Sequence, residues 1–250
     1  MVKKIAYLTV DDAPSVDMKE KMDFLVSKEI PAILFCTGSS LEKRPELAIY
    51  AIKKGFIIGN HSYTHPHLHF SDLPLEQCFE EIQKTDRIID EIYKKAGAKR
   101  PAKFFRFPFG DKGGLKYDEV LEPYEGEGKI RKEKIQAFLK SLGYTQPKFE
   151  NITYRYYRKA GLLDDVDWYW TYDVVEWSTF TEEHLFGIDS LEKVFERMGE
   201  DVPEGCRGLN YPDSEEIILI HDHPESTHIF KPIIERLLAK GMIFQLPSLK

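Results

Sequence analysis

Hydrophobic residues fall along this chain in short runs separated by mixed stretches: Ile5-Ala6-Tyr7-Leu8-Thr9-Val10, Ala32-Ile33-Leu34-Phe35, Phe56-Ile57-Ile58, Phe104-Phe105, Trp168 to Tyr172, Ile217 to Ile220 and Met242-Ile243-Phe244. Runs this short and this continuously apolar predict strands buried on both faces. Helix-like stretches lie between most of them. The clearest covers 72–95, where Leu75, Phe79, Ile82, Ile89 and Ile92 recur at helical spacing behind Ser71/Asp72 as a cap candidate and Pro74. From about Ser226 to Lys240 a second helix places Phe230, Ile233, Ile234, Leu237 and Leu238 on one face, with Gly241 as its stop. Alternating strand and helix predicts a parallel sheet with right-handed crossovers. About seven strands favour a closed (β/α) barrel, with an open doubly wound sheet as the alternative.

Polar motifs sit at the ends of these runs. Asp11-Asp12 end the first, His61 follows Phe56-Ile57-Ile58, Arg106 follows Phe104-Phe105, Asp173 follows Trp168 to Tyr172, and His221 follows Ile217 to Ile220. Barrels of this kind build their sites at the carboxyl ends of strands, so all five motifs are expected on one rim. The stretch 111–165 is the least regular. Within it Glu122 to Gly128 reads as loop and Ile130 to Leu142 as a helix closed by Gly143; the segment is either a solvated face or a lid or cleft wall. No linker divides the 250 residues, so one domain over 1–250 is expected.

His61-x-x-x-His65 with Asp12 offers two imidazoles and a carboxylate, the ligand set of a catalytic zinc centre with positions left open. The same set also suits Fe(II) or another divalent transition metal. A zinc-protease reading fails, because Ser62 stands where that motif needs glutamate. A second carboxylate, Asp11, favours hydrolysis, since at a strand end it can act on the metal's water as a base. Arg106 on the same rim can pair with Asp11 and aim it. His221 is placed to act as an acid if a carboxylate keeps it protonated. His67, His69, His223 and His228 are expected around the site or on the surface, not as ligands.

Composition narrows the partners. A chain that is 42% hydrophobic and 13% aromatic is not disordered, and a net charge of -7 gives no reason to expect nucleic acid. A neutral, sugar-like substrate fits better. Two aspartates interrupt the first apolar run before a signal peptide could form, and no run of about 18 apolar residues predicts membrane insertion. With Met1 as the native start, the protein is expected in the cytoplasm. Cys36, Cys78 and Cys206 are expected to be free buried thiols. Nothing in the chain indicates an oligomeric state.

Taken in order, the motifs resemble those of the polysaccharide deacetylases of carbohydrate esterase family 4, the NodB homology domain. Thr9-Val10-Asp11-Asp12-Ala13-Pro14 is similar to TFDDGP, His61-Ser62-Tyr63-Thr64-His65 to H-[ST]-x-x-H, and Arg106-Phe107-Pro108-Phe109-Gly110 to R-x-P-Y-G. Asp173 to Trp177 resembles D-x-x-D-W, and Leu219-Ile220-His221 matches L-x-H. The resemblance implies a distorted (β/α) barrel that removes acetyl groups from an N-acetylated saccharide with a bound metal, usually zinc. It implies Asp11 as base, Asp12, His61 and His65 as ligands, His221 as acid and Arg106 orienting Asp11. The Phe109 N–H would meet the oxyanion, Trp177 and Leu219 would wall the acetyl methyl, and Asp173 and Glu176 would support Arg106 and His221. Two departures matter: Ala13 stands for glycine, a strain if that backbone needs positive φ, and Glu176 stands for aspartate. The competing readings are hydrolysis of another amide or ester, and a carbohydrate-binding relative without catalysis.

Overall fold

The computed structural model describes residues 3–66, 70–114, 125–201 and 208–249. Its elements run β1 (Lys4–Ala13), α1 (Met18–Ser27), β2 (Ala32–Cys36), α2 (Gly38–Lys43), α3 (Pro45–Lys53), β3 (Ile57–Asn60) and α4 (Leu75–Ala96). They continue α5 (Gly126–Ser141), α6 (Arg155–Lys159), β4 (Tyr172–Asp173), α7 (Leu191–Met198), β5 (Glu216–His221), α8 (Thr227–Ala239) and β6 (Met242–Phe244). All strand pairings are parallel, in the order β3-β2-β1-β5-β4, with β6 on the start of β1.

Six of the seven apolar runs contain strands. Phe104-Phe105 makes only isolated pairings, yet it carries the sheet onward: Asn60 N donates to Phe104 O (2.8 Å) and Trp168 N to Phe105 O (2.8 Å). Thr171 N then donates to Ile217 O (2.9 Å), and β5 pairs with β1. Backbone hydrogen bonds thus run round from β1 through 104–106 and 168–173 and back to β1, with irregular backbone on the far side.

The strands are apolar at nearly every position because both faces are covered. Ala6, Leu8 and Val10 of β1 pack in one cluster with α1, α3 and α8 through Met18, Met22, Ala48, Ile233 and Leu237. Tyr7 belongs to a second, inner cluster with Ile33, Phe35, Ile57, Trp168, Ile217 and Leu219. Side chains alternate along a strand, so Thr9 and Asp11 follow Tyr7 inward, and His221 follows Ile217 and Leu219. Gly59 is required by this packing, since a Cβ there would lie 2.7 Å from the Phe35 ring.

Local expectations fared unevenly. The stretch 72–95 is helical from Leu75, and α8 ends at Ala239 before Gly241. Ser71 does not cap α4; its N–H and hydroxyl bind Asp111, and Pro74 occupies the N-cap. Gly126 to Gly128, expected as loop, open α5, while residues 122–124 lie outside the described residues. Cys36 and Cys78 are free and buried; Cys206, His67 and His69 lie outside the described residues.

One buried ion pair ties α1 to the turn after β5. Lys21 Nζ donates to Asp222 Oδ1 (2.8 Å) and to His223 O (2.8 Å), and Ser15 adds hydrogen bonds to Asp222 from its N–H and hydroxyl. Both ionic side chains are buried, so removing one partner strands the other charge. Lys21→Met is expected to cost about 3–5 kcal/mol, measured by urea unfolding; a loss below about 1 kcal/mol would show that the pair does not anchor this turn.

Candidate active site

Strand ends gather the site. β1 delivers Asp11 by simple alternation, but Asp12 should then face away. A register shift between Asp11 and Ala13 against β2, with Asp12 at φ 64°, turns both carboxylates into the same cavity. Aspartate tolerates this left-handed conformation better than most residues. The strain expected at Ala13 does not arise, because the positive φ belongs to Asp12 and Ala13 pairs with Cys36. Ser62 (φ 64°), His65 (φ 50°), Phe109 (φ 56°) and Val175 (φ 60°) are also left-handed, and such residues concentrate where a site over-determines its backbone.

The first cluster is Asp12, His61 and His65. Asp12 Oδ1 lies 3.7 Å from His61 Nε2 and 3.4 Å from His65 Nε2, and Asp11 Oδ2 lies 3.6 Å from His61 Nε2. His61 Nδ1 is 2.9 Å from the carbonyl oxygen of Arg106, which can only accept, so Nδ1 donates there and Nε2 is the nitrogen turned toward the carboxylates. Burial pushes the His65 imidazole down to about 4 despite the pull of Asp12. Burial opposes ionisation of Asp12, yet the imidazoles of His65, His223, His61 and His221 outweigh it and hold the carboxyl well below its usual range. Two imidazole nitrogens and a carboxylate oxygen converging at 3.4–3.7 Å are a donor set that a cation can bridge. The three donors therefore fit a divalent metal. Glu81 of α4 steadies the loop, accepting from Tyr63 N (2.8 Å), Thr64 N (2.8 Å) and Thr64 Oγ1 (3.0 Å).

Behind Asp11, Arg106 is fully buried and rigidly held. Its Nη1 donates to Asp11 Oδ1 (2.8 Å) and Thr9 Oγ1 (2.7 Å), its Nε to Trp168 O (3.3 Å), and its guanidinium lies 4.5 Å from the Phe35 ring centroid. Aromatic stacking and a planar fork fix the arginine, and the arginine fixes one oxygen of Asp11.

At the end of the neighbouring β5, where His221 pairs with Asp11, Glu176 Oε1 accepts from the backbone N–H of His221 (2.5 Å) and lies 3.2 Å from its Nδ1. Asp173 lies in the same group, its carboxylate receiving the Val175 N–H (2.8 Å). Burial works against charge on His221, but Glu176, then Asp173 and Asp12, push the imidazole up to about 10. Glu176 and His221 thus form a hydrogen-bonded dyad with Asp173 beside it, an arrangement suited to holding a proton on the imidazole. The expected support of Arg106 by Asp173 and Glu176 is corrected: Arg106 takes Asp11 as its carboxylate, and both other acids lie beside His221.

A cavity of about 640 Å³ joins the two halves. Asp11, Asp12, His61, His65, Asp173, His221, Phe109, Trp177 and Leu219 line it, as expected for a common rim; Glu176 and Arg106 stand behind the wall. The Phe109 ring packs edge-on to His65 at 4.6 Å, and Trp177 meets His221 edge-on at 6.4 Å. Sequence reasoning missed Thr9, Trp170, Phe180 and the contact of His223 with Asp12. Thr9 was legible as the inward residue before Asp11, whereas Phe180 sits in irregular chain with no periodic signal.

Residues 1–122 match the family model described as polysaccharide deacetylase, which takes in Asp11, Asp12, His61, His65 and Arg106; Asp173, Glu176 and His221 lie beyond it. The chain is similar to two peptidoglycan-N-acetylglucosamine deacetylases of Bacillus cereus: to one at 31% identity over 42% of this chain and 36% of that protein, and to the other at 23% identity over 97% of this chain and 69% of that protein. Its fold is like that of the polysaccharide deacetylase Bc1974 from Bacillus cereus, at 22% identity and TM-score 0.63 over 98% of this chain and 93% of that one. It is also like a carbohydrate esterase 4 pseudoenzyme from Bacillus anthracis, at 18% identity and TM-score 0.58 over 96% of this chain and 62% of that one. A shared fold alone therefore does not decide activity. Residues 1–122 thus carry the polysaccharide deacetylase match, and the chain as a whole is similar in sequence to a peptidoglycan deacetylase and in fold to the deacetylases of carbohydrate esterase family 4.

Proposed function

We propose that this protein is a metal-dependent hydrolase that removes the N-acetyl group of an acetylated amino sugar or its oligomer. The observation that carries this reading is geometric: one cavity is lined by the three converging donors Asp12, His61 and His65, by Asp11 held on Arg106, and by His221 held on Glu176. Zinc or a similar divalent ion held by Asp12, His61 and His65 would polarise the acetamide carbonyl and lower the pKa of water.

The chain's own groups do the rest. Asp11, aimed by Arg106, which Thr9 helps to hold, takes the proton of the attacking water. The backbone N–H of Phe109 is the proposed donor to the oxyanion, in a turn whose φ of 56° sets its direction. His221, charged by Glu176, delivers its Nε2 proton to the departing amine nitrogen. Trp177 and Leu219 are the proposed wall for the acetyl methyl. Thr37, Ser39, Ser40 and Thr64 line the same cavity as Trp170, Trp177 and Phe180, a combination of hydroxyls and aromatic faces that suits a pyranose ring.

A panel of N-acetylglucosamine oligomers, peptidoglycan fragments, acetyl esters and acetylated peptides tests the substrate class through acetate release. Release from the amino sugars is expected to dominate. Release confined to esters or peptides would replace this reading with hydrolysis of another bond on the same scaffold.

A further inference from the structure

The proposed metal ligands, base and acid all belong to motifs read from the sequence; His223 does not. It follows His221 by two positions, so both rings leave the end of β5 on the same side, and they stack at 5.3 Å and 21°. His221 turns to Glu176, but His223 Nε2 lies 2.8 Å from Asp12 Oδ2. An ionised carboxylate only accepts, so His223 Nε2 carries the proton and donates. The two oxygens of Asp12 are thereby divided. Oδ2 is tied to His223, and Oδ1 is left facing His61 and His65 at 3.7 and 3.4 Å.

Resting on the reading of Asp12, His61 and His65 as a metal site, we infer that His223 is a positioning residue that aims Asp12 at the metal. Asp12 needs such a partner, because it sits at a bulge with φ 64° where regular strand pairing no longer sets its direction. His223 is itself well placed. Lys21 Nζ donates to its carbonyl (2.8 Å), Asp222 N donates to Asp11 O (2.8 Å), and Phe180 packs edge-on to its ring at 5.4 Å. The turn that follows the candidate acid therefore also holds a candidate metal ligand of the neighbouring strand. Hydrogen bonds from outside a metal's ligand set that orient a ligand typically change metal affinity 10–100-fold.

The test is Co²⁺ affinity of metal-stripped protein, by competition with a chromophoric chelator, with melting temperature recorded for each variant. His223→Phe keeps the ring and its packing but has no donor, and is expected to bind about 10–100-fold more weakly. His223→Gln can place an amide N–H where Nε2 stood and is expected to restore most of the affinity. Should His223→Phe not fold, His223→Asn, whose amide falls short of Asp12, is expected to bind weakly in its place. Unchanged affinity in the Phe or Asn variant, or a Gln variant no better than either, overturns the inference while leaving the metal site intact. Failure of the unmodified protein to bind Co²⁺ would instead overturn the metal site and this inference with it.

Discussion

Asp11→Asn is expected to bind metal like the unmodified protein and to lose about 10²–10⁴-fold in acetate release, the usual contribution of a general base. Asparagine keeps the shape of the side chain and an oxygen for Arg106 Nη1, but it cannot take a proton from water. The substitution also leaves the buried guanidinium without its carboxylate. That uncompensated buried charge should cost about 3–5 kcal/mol of stability. Unfolding by urea separates this cost from the catalytic one, since the rate is compared at a temperature where both proteins are folded. Substantial acetate release by the Asn variant would remove Asp11 from the chemistry. Full metal binding with no turnover would also set this protein apart from a carbohydrate-binding relative, in which Asp11 would have no turnover to lose.

His221→Ala should likewise keep its metal and lose about 10²–10⁴-fold in turnover. The sharper version is Glu176→Gln. Burial opposes the charge of His221, and Glu176 is the chief group that overcomes it, with Asp173 and Asp12 adding to the effect and His223 stacked alongside. A raised pKa means that the proton needed by the leaving amine is held through neutral pH and lost only as pH rises toward about 10. Glutamine removes the charge, so the imidazole falls back and the alkaline limb of kcat/KM moves to lower pH. The variant should approach the parent at pH 6 and fall behind it as pH rises, by about tenfold at high pH for each unit lost. Both proteins must be metal-loaded, because a dication also repels the imidazolium. An alkaline limb that did not move would mean that Glu176 does not hold that proton.

Much of the architecture was legible because buried strands write both faces into the sequence. Tyr7, Thr9 and Asp11 can be read inward by alternation, and the five polar motifs could be placed on one rim before any coordinates. What stayed hidden depended on distant partners. Ser71 looked like a helix cap until Asp111 claimed it, and Asp173 and Glu176, expected to support Arg106 as well as His221, both lie beside His221. The bulge that turns Asp12 into the cavity leaves no mark on the sequence beyond two adjacent aspartates. His223 reads as one histidine among eight until the fold brings it to Asp12 across 211 positions of chain. Closure through 168–173 was expected from hydrophobicity, but hydrophobicity does not show that only Tyr172-Asp173 would pair regularly.

Metal dependence is the centre of this account, and one titration addresses it directly. Stripped protein would be titrated with zinc while acetate release from an N-acetylglucosamine oligomer is followed. The account predicts no release without zinc, a rise that saturates at about one equivalent per chain, as a single three-ligand site requires, and no rescue of His65→Ala at the same zinc. Release that survives stripping, or a fully loaded site that frees no acetate from any amino sugar, would contradict it.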